Sequence, residues 1–125
     1  MSDRSLKDAA VDFLTLAAAG QVQQAYAKHT APGFRHHNPH FRGDAASLME
    51  AMQANAAEHP DKVLSVQKAL QDGDHVAVFS RVTQHRGDLG AAVVHIMRFE
   101  GLRIVEMWDV GQPVPQQSAN EHGMF

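Results

Sequence analysis

The stretch Val93-Val94-His95-Ile96-Met97-Arg98-Phe99-Glu100-Gly101-Leu102-Arg103-Ile104-Val105-Glu106-Met107-Trp108-Asp109-Val110 decides the fold. It reads as two strands, Ala91 to Glu100 and Ile104 to Val110, joined at Gly101-Leu102. Alternation sets Val93, His95, Met97 and Phe99 on one face of the first strand, with Val94 and Ile96 on the other. In the second strand it sets Asp109 beside Val105 and Met107, with Trp108 on the opposite side. Both faces therefore carry apolar residues. One face needs a cover of helices and the other needs a second cover, for which a partner chain is the economical choice. An odd-length connection or a bulge would bring His95 and Asp109 onto one face nearly opposite each other. A plain two-residue loop would send them to opposite faces, and the sequence leaves this register open.

Upstream, His75 to Val82 is a third strand, and Val63 to Gln71 a fourth, with Asp72-Gly73 between them as a hairpin signal. Before the strands come helices. Leu6, Ala9, Ala10, Phe13, Leu14 and Ala17 recur on one helical face, and Gly20 closes it. Val22, Ala25 and Tyr26 mark a shorter second helix, which Ala31-Pro32-Gly33 breaks. Asp44 is an N-cap for a third helix, with Leu48, Met49, Met52 and Ala56 inside and Glu58-His59-Pro60 at its end. Between these helices, Asn38-Pro39 forces Phe34 to Phe41 into extended or turn geometry. Three N-terminal helices packed on a curved, mainly antiparallel sheet give an α+β fold.

The 125 residues form one domain, 1–125, with 44% hydrophobic and 20% charged residues, the balance of an ordinary globular chain. With a net charge of −3 and its Lys and Arg scattered, the chain lacks the basic patch that nucleic acid or an anionic membrane would require. It has no cysteine, which excludes disulfides, thiolate nucleophiles and Cys-based zinc sites. Met1 to Ser5 lacks the apolar core of a signal peptide, and no apolar run is long enough to span a membrane; the expected location is cytoplasmic.

Asp109 is the leading candidate for chemistry. An acid seated where a core residue belongs is a candidate for moving protons, because burial works against the charged form of a carboxylate. The plainer alternative is a half-exposed acid capping the strand end. His95 facing Asp109 would make a proton-transfer pair; alternatively it is a core histidine bonded to a backbone carbonyl. His36, His37 and His40 invite a metal, but adjacent histidines in an extended segment diverge and no carboxylate accompanies them, so no metal is expected. A Pro-locked corner offering His37 and Asn38 as hydrogen-bonding groups fits better, a solvated polar turn being the alternative. Met49 and Met52 at helical spacing read as core. Phosphate loops, nucleophile elbows and zinc-protease helices are absent.

Phe34 through Pro39 with Phe41, Gly73-Asp74 with Val76-Ala77-Val78, Val93 through Phe99, Ile104-Val105-Glu106 with Trp108-Asp109-Val110, and the tail Gln112 through Phe125 together resemble SnoaL-like proteins. These belong to the nuclear-transport-factor-2-like superfamily of cystatin-like cones. The resemblance implies a curved sheet wrapped round a long helix with an apolar pocket between them. It implies cofactor- and metal-free enolate chemistry on a small apolar or carbonyl-containing ligand: aldol condensation, isomerisation or dehydration. By position, the acid/base role falls on Asp109, paired with His95. His37 and Asn38 match the pocket corner, and the expected pocket further includes Phe13, Phe34, Met52, Met107 and Trp108. Met107 stands where relatives often carry a histidine, which makes transfer of a particular substrate unsafe. A non-catalytic binding module of the same fold, or a dimerisation unit with a vestigial pocket, would carry the same pattern.

Overall fold

The computed structural model describes residues 5–125. The opening residues 1–4, part of the segment read above for a signal peptide, lie outside the described residues. Helix α1 spans Leu6–Ala18, α2 Val22–His29 and α3 Ala45–Glu58. Strands follow as β1 Thr30–His36 (between α2 and α3), β2 Val63–Asp72, β3 His75–Thr83, β4 Ala91–Glu100 and β5 Arg103–Pro113. The five strands form one sheet in the order β1-β5-β4-β3-β2, antiparallel except where β1 runs parallel to β5. Among the described residues no helix is long and apolar enough to cross a membrane.

Local chemistry explains the helix ends. The Ser5 side chain accepts from the Asp8 backbone N–H at the start of α1, and Asp44 accepts from the Ser47 N–H at the start of α3. After α1 the chain reverses through Gly20, whose φ of 88° suits a residue without a Cβ. The predicted inner face of α1 is buried: Ala9, Ala10, Phe13, Leu14 and Ala17 all lie against the sheet side of the core. Removing a side chain such as Phe13 from water contributes roughly 1.5–3 kcal/mol. Helix α3 is different, since only Leu48 is buried along its 14 residues. Its remaining apolar face is left for a cavity.

Strand β1 was not expected from the sequence, where Ala31-Pro32-Gly33 reads only as a break. The helix does end, at His29, but the chain continues directly into the sheet. A proline is tolerated there because β1 is an edge strand whose one strand neighbour is β5, with its register broken between Thr30 and Arg35. The hairpin between β2 and β3 forms one residue later than Asp72-Gly73 suggests: Asp72 pairs with His75, so the turn is Gly73-Asp74.

The β4–β5 hairpin settles the open register. Glu100 pairs with Arg103 across a two-residue turn, Gly101-Leu102, and Phe99 pairs with Ile104. An uninterrupted ladder from that turn would set Trp108 opposite His95. Instead the register shifts between Arg98 and Phe99, Val105 is the extra residue, and Arg98 pairs with Glu106. From there Met97 opposes Met107 and His95 opposes Asp109. Asp109 thus shares the inner face with Met107 as expected, but Ile104 rather than Val105 takes the buried rung. One bulge turns the carboxylate inward.

Candidate active site

A cavity of about 300 Å³ opens between α1, α3 and the inner face of the sheet. Leu14, Leu48, Met52, Leu64, Val82 and Val93 supply apolar wall. Asp109, His95 and Asn38 reach the same cavity, from β5, β4 and the corner after β1.

His95 is buried, and its Nδ1 has no hydrogen-bond partner among the described residues. Burial pushes the imidazole down to about 4; the Asp109 charge opposes this and the Lys62 charge adds to it. The ring is therefore neutral near pH 7, keeping one nitrogen as donor and the other as acceptor. The pair is a neutral imidazole beside a carboxylate, not an ion pair.

Asn38 is fixed by its own corner. Its backbone N–H donates to His36 Nδ1 at 3.2 Å, and its Oδ1 accepts from the His40 N–H at 3.0 Å. With the amide oxygen engaged, the Nδ2 group turns to Asp109 and donates to Oδ2 at 3.1 Å. Asp109 is thereby held by a side chain 71 positions away in sequence. Tyr26 stands close by, its hydroxyl donating to Met52 Sδ at 3.4 Å. Burial, with the Asp109 charge adding, pushes this phenol well above its usual range, so it stays protonated.

The remaining expected pocket residues do not gather at the cavity. Phe13, Phe34 and Met107 are buried in the core behind it. His37 and Trp108 lie on the opposite face of the sheet, stacked on one another with ring centroids 4.9 Å apart and planes 8° from parallel. The reason is alternation: the inward turn of Asp109 obliges Trp108 to point outward beside Ile96. His37 follows it and bonds Glu106 Oε2 through Nε2 at 2.6 Å. Hydrogen bonding from Arg35, then from His37, with Arg98 also bonded, pulls the Glu106 carboxyl down to about 2 against its burial. This cluster stitches β1, β5 and β4 together on the outer face. Among the described residues no three His, Asp or Glu side chains gather as metal ligands would.

Besides Asn55 of α3, two polar residues of the cavity escaped the sequence reading. Lys62, just before β2, donates through Nζ to Asn55 Oδ1 at 2.8 Å, and Gln84 stands just after β3. Their only sequence signal was position, as the rung beyond the Val63–Thr83 pair, which continues the inner face through Leu64 and Val82.

The SnoaL-like domain pattern matches residues 10–107. The chain belongs to the SnoaL-like domain family. None of the curated proteins matches it. Among solved structures it is similar to an NTF2-like protein of unknown function from Cytophaga hutchinsonii, 16% identical, covering 90% of this chain and 94% of that one at a TM-score of 0.70. A protein provisionally assigned as a polyketide cyclase, from Acidithiobacillus ferrooxidans, is 22% identical over 89% of this chain and 91% of its own, at 0.69. A protein provisionally assigned as a SnoaL-like isomerase, from Agrobacterium tumefaciens, is 11% identical over 87% and 99%, at 0.71. At these identities the likeness is one of fold, the NTF2-like, cystatin-type arrangement of helices on a curved sheet. The family match stops two residues short of Asp109.

Proposed function

We propose that the chain is a cofactor-independent enzyme that removes a proton from carbon beside a carbonyl group. The observation that carries this reading is the direct opposition of His95 and Asp109 at an apolar cavity, with Asn38 bonded to the carboxylate. In this mechanism Asp109 takes the α-proton and becomes the neutral acid, while the electron pair passes to the carbonyl oxygen as an enolate. One Asn38 amide hydrogen is engaged by Asp109 and the second is available to the enolate oxygen; a preorganised donor of this kind typically contributes about 3 kcal/mol to a transition state. Neutral His95 relays a proton only by taking it on one ring nitrogen as it gives one up from the other, which leaves no charge on the ring. The enolate then attacks a second carbonyl, is reprotonated elsewhere or expels a leaving group, which covers aldol condensation, isomerisation and dehydration. Fold relatives provisionally assigned as a cyclase and an isomerase support the general class.

β-Tetralone, a compact benzo-fused cyclic ketone with acidic benzylic α-hydrogens, is a suitable probe. The protein is expected to exchange those hydrogens in deuterium oxide well above the buffer rate, as followed by proton NMR. Tight binding without any exchange would favour a binding module of the same fold.

A second copy of the chain on the outer sheet face is part of the same proposal. Val94, Ile96 and the exposed Val110 remain there beside Phe79, which the C-terminal Phe125 covers in part at 5.7 Å. Sedimentation is expected to give a dimer at micromolar concentration; a monomer there would remove this element.

A further inference from the structure

The cavity carries a second polar group, apart from the carboxylate. Lys62 and Gln84 occupy facing positions at the ends of β2 and β3, with Asn55 of α3 on the lysine amine. Among the described residues that line the cavity, Asp109 is the sole carboxylate and is engaged by Asn38, while the bonded partner of Lys62 is the neutral oxygen of Asn55. The Gln84 Oε1 is buried and has no hydrogen-bond partner among the described residues. A half-turn of that amide would present its NH₂ to the same space, so the site offers one cation and one adaptable amide to a ligand. Burial pulls the Lys62 amine below its usual range, the behaviour of a cation whose counter-charge has yet to arrive.

We propose that Lys62, aided by Gln84, anchors a carboxylate carried by the substrate, which makes the substrate a keto acid whose carbonyl end reaches Asp109. The proposal rests on the enolisation reading for the carbonyl end only. Binding of the carboxylate would supply the missing counter-charge and hold the ketone in one orientation. A charged hydrogen bond in a partly dry site is worth enough to read as a tenfold or greater change in affinity. Arg would preserve the charge with different geometry, whereas Gln would keep the bond to Asn55 and lose the charge.

The test compares β-tetralone with its ring-carboxylate derivative by calorimetry on the intact protein. The wild type is expected to bind the carboxylate form at least about tenfold more tightly. Lys62→Gln should bring that ratio close to one, and Lys62→Arg should restore most of it; Gln84→Leu should lower it by a smaller factor. Equal binding of the two probes by the wild type would overturn the proposal, as would a full preference surviving in Lys62→Gln. Should that variant fail to fold, the wild-type ratio measured against rising salt decides the matter, since a charge anchor weakens and a shape preference does not. Exchange of α-hydrogens is scored separately with Asp109→Asn. Loss of exchange with the carboxylate preference intact separates the two proposals.

Discussion

Urea unfolding of the wild-type chain is expected to become easier by roughly 3 kcal/mol as pH falls from about 7 to about 4, through His95. The folded state holds this imidazole down at about 4 against an ordinary value of 6.5. Below 6.5 the unfolded chain therefore binds a proton that the folded chain refuses. Stability from this source is complete above 6.5, falls as pH drops towards 4, and loses nothing further below both values. Set against the 5–15 kcal/mol of a typical domain, the loss is large. Glu106 does not mimic it, because its depressed carboxyl loses its contribution in a lower window, from 4.5 towards 2. His95→Leu should flatten the slope in the upper window while leaving the lower one in place. An unchanged slope in that variant would mean that His95 can take up its proton in the folded state.

Replacing Asp109 with asparagine is expected to slow α-proton removal by at least about 100-fold, within the range general bases contribute. The substitution keeps the size and the planar shape of the side chain, and an amide oxygen can still accept from Asn38 Nδ2. Ligand affinity should therefore change little, so the loss falls on kcat rather than KM. A merely structural acid would give the reverse pattern, with lower stability and an unchanged rate per folded molecule.

Much of this architecture was legible in single residues. The α1 face from Ala9 to Ala17, the cap at Asp44 and the glycine after α1 follow from helix periodicity and terminus chemistry. Strand β1 was not legible, because Pro32 and Gly33 are punctuation in any local reading and only the edge position beside β5 makes them acceptable. The bulge at Val105 was equally hidden. Ile104-Val105-Glu106 alternates acceptably in either register, and the choice between them falls to packing: Met107, not Trp108, fills the core. That one choice brought Asp109 to the cavity and carried His37 and Trp108 away from it. Lys62 and Gln84 carried no local signal, since only the pairing of β2 with β3 through Val63 and Thr83 brings the residues that flank those strands to the cavity.

Deuterium incorporation into β-tetralone, followed side by side in wild type and Asp109→Asn, tests the base assignment most directly. The account predicts rapid α-exchange in the wild type and a rate near the buffer background in the variant, with both proteins folded and both binding the ketone. Equal exchange rates in the two proteins would contradict it.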